Sequence, residues 1–168
     1  SRFNKYACGD TGKDSPEWQQ TNQKNMRNFV RKWGSMVKHD KHMMPLISSK
    51  YDIGFVVYNI KNYNVLFTLE PWCSTFYGDF PKDLLPMYIR DEQPNTLYDL
   101  SERVKTIHTE KKNDILVEFD SVKLTNEAFN FLVQLPQILS DSGDVGVMEY
   151  DIFKITINSL KTYEGDLK

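Results

Sequence analysis

The chain has 168 residues, of which 40% are hydrophobic and 13% aromatic. This length and composition predict a single packed domain that buries about 70% of the surface exposed by the unfolded chain, and they exclude a disordered segment. The 21 basic and 23 acidic residues give a formal net charge of −2, which provides no positive field for duplex nucleic acid or an anionic membrane. A nucleotide sugar needs only a local pair of cations and is compatible with this charge.

The first predicted element is an amphipathic helix. It begins at Ser15-Pro16-Glu17, which supply a capping hydroxyl, a proline at the first helical position and an acid in the first turn. It ends at Gly34, and we expect an interruption near Thr21-Asn22. Its apolar residues follow three- and four-residue spacing: Trp18, Met26, Phe29, Val30 and Trp33. Its basic residues are predicted on the opposite side or in the last turn: Arg27, Arg31 and Lys32.

From residue 51 the pattern changes to short strands that alternate with helices. The predicted strands are Ile53–Tyr58, Cys73–Tyr77, Ile115–Phe119 and Tyr150–Ile157. The predicted helices are Leu66–Leu69, Leu97–Ile107 (with Thr96 and Asp99 as a capping box) and Phe129–Leu139, the last kinked or ended near Pro136. This order predicts an α/β fold with a mainly parallel sheet and covering helices, preceded by a helical, loop-rich N-terminal arm. We place the arm at residues 1–50 and the α/β body at 51–168, together forming one compact domain.

A cluster of potential metal ligands follows the first helix. His39 and His42 are three residues apart with Asp40 between them, so on a helix the two imidazoles would share a face. Imidazole and carboxylate groups suit Zn²⁺ or Mn²⁺, and Cys8, Asp10 or Asp14 can complete the shell. The alternative is a solvated charge cluster that ends a helix, since no HExxH or paired CxxC pattern is present.

Three carboxylates near the N-terminus are candidate general bases: Asp10, Asp14 and Glu17. Such a base must lie within hydrogen-bond reach of an acceptor hydroxyl. The alternative is structural, because these acids can also cap turns and the next helix. Trp18, Trp33 and Trp72 can stack on a sugar or a base, or they can belong to the core.

Several common signatures are missing from the sequence. There is no GxGxxG after the first predicted strand of the body, no GKS or GKT, and no GxSxG. The two cysteines, Cys8 and Cys73, fit no redox motif, and we expect both to be free thiols. No apolar run approaches the roughly 20 residues of a membrane span, and the N-terminus has no hydrophobic targeting core. These features predict a cytoplasmic protein.

Residues Phe3 through Gly34 resemble the closing segment of family 2-like glycosyltransferases of the GT-A type, especially those of bacteriophages. The residues that match the acidic segment after a Gly/Trp-rich loop are Gly9, Asp10, Thr11, Gly12, Asp14 and Glu17. Those that match the following helix are Asn25, Phe29, Lys32, Trp33 and Gly34. The resemblance implies that Asp10, Asp14 and Glu17 supply the catalytic base. It also implies that the acceptor is contacted by Gly9, Thr11, Gly12, Trp18 and Trp33.

The chain departs from that family in one respect: it has no Asp-x-Asp triad, the element that holds the metal and the diphosphate. The resemblance therefore implies the C-terminal part of a longer phage or bacterial enzyme, which contributes acceptor-side contacts and has no transfer activity alone. The alternative is a non-catalytic, phage-encoded α/β module that binds a protein or regulates it. The expected partner is thus a carbohydrate acceptor or a protein. A metal-dependent hydrolase that uses His39, Asp40 and His42 is a third hypothesis.

Overall fold

The computed structural model describes residues 16–34, 38–39, 42, 45–46 and 50–163 of the chain. Its first element is helix α1 (Pro16–Trp33), which continues through residues 21 and 22, so the expected interruption there is wrong. Gly34 follows with a φ of +78°, and its N–H donates to the carbonyl of Val30 over 2.7 Å. A left-handed glycine after the last turn is a common helix end, and the predicted stop is confirmed.

Short strands and helices make up the rest of the described chain. The strands are β1 (Lys38–His39), β2 (Pro45–Leu46), β3 (Lys50–Tyr51), β4 (Ile53–Tyr58), β5 (Thr75–Gly78), β6 (Val104–Thr106), β7 (Ile115–Asp120), β8 (Gly146–Tyr150), β9 (Phe153–Ile157) and β10 (Thr162–Tyr163). The helices are α2 (Tyr63–Leu69), α3 (Leu84–Glu92), α4 (Leu100–Arg103) and α5 (Asn126–Ser142). Single 3₁₀ turns span Glu70–Trp72, Gln93–Asn95 and Ser121–Lys123. The chain is therefore an α/β protein, as predicted.

The main sheet is mixed, and the mainly parallel sheet that we predicted is not confirmed. Its strand order is β6-β5-β4-β7-β9-β8. Strands β6, β5, β4 and β7 are parallel neighbours, whereas β9 is antiparallel to both β7 and β8. The reason is local: only Asp151 (φ +54°) and Ile152 connect β8 to β9, and so short a connection forms a hairpin. The single strand predicted over Tyr150–Ile157 therefore covers the last residue of β8, the turn and β9.

One face of the sheet carries the hydrophobic core. Phe55 lies beside Phe76 on one side and Val117 on the other, and all three pack in one cluster with residues of α2, α3, α4 and α5. The opposite face includes Val56 and Tyr77, which are buried but lie outside that cluster. Helices α2, α3, α4 and α5 therefore pack on one face of the sheet.

The predicted helix over Leu97–Ile107 is confirmed only over Leu100–Arg103, and residues 97–99 are not helical. The capping box is wrong as predicted: Asp99, and not Thr96, is the N-cap, and its carboxylate accepts from the N–H of Ser101 over 3.0 Å. The helix is only α4, however, and Val104 already starts β6. Strand pairing with β5 outweighs the weak helical preference of a β-branched residue. Helix α5 continues through Pro136, whereas we expected this helix to be kinked or to end there.

Two sequence expectations concern properties of the whole chain. Within the described residues, no helix is both long and apolar enough to cross a bilayer. Cys73 is a buried free thiol, and burial raises its pKa above the ordinary value. Cys8 lies outside the described residues, and the boundary between residues 50 and 51 stays a prediction.

We expect that Leu132→Ala lowers the free energy of unfolding by about 2–5 kcal/mol, because the side chain leaves a cavity in the core. Leu132 is buried in α5, whereas Leu97 is fully exposed, so Leu97→Ala is the matched control and should change stability by less than about 0.5 kcal/mol. Urea denaturation measures both. Equal effects of the two substitutions would contradict the packing of α5.

Candidate functional site

The predicted acceptor loop lies largely outside the described residues. This applies to Gly9, Asp10, Thr11, Gly12, Asp14 and also Asp40. Of the remaining predicted residues, Glu17 is exposed in the first turn of α1. Trp18 and Trp33 are nearly half exposed, which excludes a core role, but they lie 15 residues apart and so about 22 Å along the helix axis. A single sugar ring cannot stack on both.

The predicted metal cluster rests on a helix that the structure does not contain. His39 is in strand β1, and His42 is exposed in a turn, so the argument from a shared helical face fails. Within the described ranges, no group of three or more His, Cys, Asp or Glu residues is arranged to hold a metal ion. The contribution of Asp40 stays a prediction.

A buried ionic network, not foreseen from the sequence, joins α1 to the body. The Nη2 atom of Arg31 lies 2.6 Å from Oε1 of Glu70 and 2.7 Å from Oε2 of Glu92, and these three side chains are fully buried. The Nε atom of Arg103 lies 2.7 Å from the other oxygen of Glu70. The hydroxyl of Tyr88 donates to Glu70 over 2.7 Å. Every charge in this network therefore has a close partner.

The same network continues toward the surface and into the backbone. Arg27 donates to both carboxylate oxygens of Glu92, at 2.6 and 3.0 Å. The second guanidinium nitrogen of Arg103 donates to the carbonyl of Cys73 over 2.6 Å. Arg103 thereby anchors the chain between the 3₁₀ turn and β5. Such complete pairing is what a buried charge needs to be tolerated.

The carboxylates of the network are held ionised. Burial by itself raises the pKa of Glu70, but the two guanidinium groups and the Tyr88 hydroxyl lower it by more, so its pKa lies below the usual value. The pKa of Glu92 is also below its usual value, because the hydrogen bonds from Arg27 and Arg31 outweigh the effect of burial. Both groups therefore contribute stability that depends on their negative charge.

The sequence contained one usable sign of this network. Arg27 and Arg31 are four residues apart on α1, where two like charges repel and destabilise an isolated helix. That spacing indicates that an acidic partner lies on the same side. It does not say which acids these are, since Glu70 and Glu92 are 39 and 61 residues from Arg31.

A second candidate site lies where the parallel strands diverge. After β4 the chain moves to β5 on one side, and after β7 it moves to β8 and β9 on the other. In open α/β sheets, ligands commonly bind at the carboxyl ends of neighbouring parallel strands whose continuations diverge. We call the residues at this point, 58–62 and 118–123, the carboxyl crevice.

Polar contacts link the two sides of the carboxyl crevice. Asn59 has a φ of +58°, and its side-chain amide donates to Oδ2 of Asp120 over 2.8 Å. Ser121 returns a hydrogen bond of 2.8 Å from its hydroxyl to the carbonyl of Asn59. The Tyr58 hydroxyl donates to Oε1 of Glu118 over 3.2 Å. The two loops are thus fixed with respect to each other before any ligand arrives.

The carboxyl crevice presents two carboxylates on the same side of β7. Glu118 and Asp120 are two residues apart in this strand, so their side chains point to the same face. The pKa of Asp120 is below its usual value, because the Val122 N–H and the Asn59 amide donate to it and two lysines, Lys123 and Lys61, lie nearby. The Asp120 carboxylate is therefore ionised at neutral pH. The lysines add positive charge beside it.

The prediction of a buried strand over residues 115–119 is confirmed, but the acids at the end of this strand were not recognised as candidate site residues. Glu118 and Asp120 alternate with the buried Phe119, which is the pattern of an ordinary half-buried strand. The available signal was their position, because two acids at the carboxyl end of a strand in an α/β protein face the usual ligand crevice.

Comparison of the chain with models of protein families, with curated proteins and with solved structures found no match.

Replacing Arg31 with methionine should destabilise the protein by about 3–5 kcal/mol, because Glu70 and Glu92 stay buried with an uncompensated charge. Lys32→Met is the matched control, since Lys32 is the exposed neighbour on the same helix, and it should change stability by less than about 0.5 kcal/mol. Chemical denaturation followed by circular dichroism measures the two free energies. A loss below about 1 kcal/mol for Arg31→Met would show that the network does not hold α1 on the body.

The network also predicts a dependence of stability on acid pH. The pKa of Glu70 is lower in the folded protein than in the unfolded chain, where it is about 4.3. Its contribution is complete above that value and is lost as pH falls through the folded pKa. The stability difference between the native protein and Glu70→Gln should therefore narrow below about pH 4. Denaturation curves from pH 7 to 3 test this, with Glu102→Gln, an exposed acid, as the control; a constant difference across the range would contradict it.

Proposed function

We propose that this chain is a glycosyltransferase-related domain that binds a nucleotide sugar at the carboxyl crevice. The observation that carries the proposal is the pair Glu118 and Asp120 on one face at the end of β7, where the parallel strands diverge. The resemblance of residues 3–34 to the closing segment of GT-A enzymes supports the same class of enzyme and concerns its acceptor side. The crevice supplies carboxylates for a divalent cation and lysines for phosphate oxygens.

The spacing of the two acids bears on the missing Asp-x-Asp triad. Glu118-Phe119-Asp120 places two carboxylates at the same separation, with glutamate in the first position. In that triad the alternation of a strand puts both acids on one face, and the same alternation holds in β7. We therefore propose Glu118 and Asp120 as a donor element in place of the missing Asp-x-Asp triad.

The donor set fits a magnesium-type cation better than zinc. Mg²⁺ and Mn²⁺ prefer oxygen ligands, and such ions are often bound by one or two carboxylates together with substrate phosphates. No third protein ligand is therefore required beside Glu118 and Asp120. When bound, the cation would neutralise the charge on the departing diphosphate. Asn59 donates a hydrogen bond of 2.8 Å to the Asp120 carboxylate, and Lys61 and Lys123 lie near that carboxylate.

The acceptor side remains part of the proposal. Asp10, Asp14 and Glu17 are the candidate bases that would take a proton from an acceptor hydroxyl, and Gly9, Thr11, Gly12, Trp18 and Trp33 the candidate acceptor contacts. The exposed Trp18 and Trp33 rings are accessible to a carbohydrate. No observation favours the hydrolase that would use His39, Asp40 and His42. The absence of a duplex nucleic acid partner and the cytoplasmic location stay predictions from composition and sequence.

The proposal predicts Mn²⁺-dependent binding of a nucleoside diphosphate sugar to the intact chain. Calorimetric titration with a panel of uridine, guanosine, cytidine and thymidine diphosphate sugars, with and without Mn²⁺, should identify at least one ligand. Glu118→Gln and Asp120→Asn should each lower the affinity for that ligand in the presence of Mn²⁺ at least about tenfold, because each substitution removes one negative charge that binds the cation. Asn keeps the oxygen that accepts from the Val122 N–H, but its NH2 group replaces the oxygen that accepts from Asn59.

Glu110→Gln is the matched control for this experiment, because Glu110 is an exposed acid outside the carboxyl crevice. Its affinity should equal that of the native chain. Two results would contradict the proposal: no binding by any member of the panel, or equal binding by the native chain and both crevice variants. Thermal unfolding of each variant establishes that the folds are comparable.

A further inference from the structure

The edge of the sheet at β8 exposes an apolar surface. Every residue of β8 is exposed. The exposed fraction is between 45% and 65% for four apolar residues here, which are Val145, Val147, Met148 and Tyr150. Isolated apolar side chains on a surface are ordinary, but a contiguous group on one strand is typical of an interaction site. We call residues 145–150, together with the groove beside them, the β8 edge.

The backbone of β8 is open to pairing. Its inner side pairs with β9, and no described strand pairs with its outer side. The strand contains no proline and no lysine, which are the residues that most often protect an edge from a further strand. An extended segment can therefore add to the sheet here through main-chain hydrogen bonds.

A groove lies beside the strand, between β8 and α5. It has a volume of about 560 Å³ and is lined mainly by Phe131, Leu135, Ile138, Leu139, Met148 and Tyr150. The Tyr150 ring stacks on Phe131 with their centroids 4.6 Å apart, so β8 and α5 are in direct contact along the groove. Met148 and Tyr150 are on the core side of the sheet, opposite Ile155 and Phe153. An added strand would thus place alternate side chains against the groove.

The residues around the β8 edge are mostly acidic, both beside the groove (Glu127) and on the opposite face (Glu149). Glu149 lies opposite Lys154, and Asp144 and Asp151 flank the strand at its two ends. Residues 126–157 contain five acidic side chains and one basic side chain, Lys154. All five acids, which are Glu127, Asp141, Asp144, Glu149 and Asp151, are exposed. The surface therefore attracts positive charge.

We propose that the β8 edge binds an extended segment of another protein in which apolar residues alternate with lysine or arginine. The apolar residues would contact the groove beside Met148 and Tyr150, and the basic residues would lie on the side of Glu149. Pairing with a second copy of this chain is disfavoured, because it would bring two acidic edges together and like charges on paired strands repel. This interaction is independent of the nucleotide sugar proposed for the carboxyl crevice.

The test uses the full chain and labelled synthetic peptides, measured by fluorescence anisotropy. The probe is the blocked heptapeptide Lys-Val-Lys-Val-Lys-Val-Lys. A scrambled peptide, Lys-Lys-Val-Val-Val-Lys-Lys, has the same charge and composition without alternation. We expect the alternating peptide to bind at least about tenfold more tightly than the scrambled one, because only alternation separates apolar from basic side chains on a strand.

Charge reversal makes the assignment specific. Glu149→Lys should lower the affinity for the alternating Lys-Val peptide at least about tenfold. The same variant should bind the corresponding alternating Glu-Val peptide instead. Met148→Lys should lower the affinity for both peptides, because it places a charge in the groove. Leu97→Lys is the control, since Leu97 is fully exposed and distant in sequence from β8. This variant should bind the alternating peptide with the affinity of the native chain.

Three results would overturn the proposal. The first is equal affinity for alternating and scrambled peptides, which would indicate a general charge effect only. The second is unchanged binding by Glu149→Lys and Met148→Lys variants whose melting temperatures match the native chain. The third is a dimer of the native chain in sedimentation that Met148→Lys dissociates, because the occupant would then be a second copy. Retained nucleotide-sugar binding in the β8 variants keeps this test separate from that of the carboxyl crevice.

Discussion

The Arg31 guanidinium is the constraint on which the arrangement of this protein depends. One buried side chain from α1 contacts Glu70 in the 3₁₀ turn after α2 and Glu92 at the end of α3. These elements are separated along the chain by the strand β5, and no local preference would bring them together. A buried carboxylate requires a cation, so the body without Arg31 would hold two acids with insufficient compensation. The helix and the body therefore specify each other's position.

The parallel strands separate this structural network from the proposed ligand site. Glu70 and Arg103 come just before β5 and β6, at the amino ends of these strands. Glu118, Asp120 and Asn59 lie at the carboxyl ends of β7 and β4. The two sets of charges also differ in character, because the first is buried and paired within the protein, whereas the second is accessible. Charges that are saturated by protein partners stabilise a fold, while accessible ones remain able to bind a ligand.

The edge strand β8 shows how the hairpin connection affects the surface. Because β9 pairs between β7 and β8, the strand with the most exposed apolar side chains becomes the last in the sheet. Its acidic neighbours come from α5 and from both ends of the strand itself. An acidic, apolar edge is less able to pair with itself than a neutral one, so the charge pattern favours a different partner over self-association.

The sequence by itself determined the elements whose signals are local. The start of α1, its end at Gly34 and the strand over residues 115–119 all follow from side chains that act on their own backbone neighbours. It also determined the α/β class. Local patterns failed where pairing decided the outcome: Val104 joined β5 as a strand, and residues 150–157 formed part of a hairpin. The partners of Arg31 and the exposure of Glu118 and Asp120 at diverging strand ends were decided only by tertiary structure. These depend on contacts between residues far apart in the chain, which periodicity and spacing do not encode.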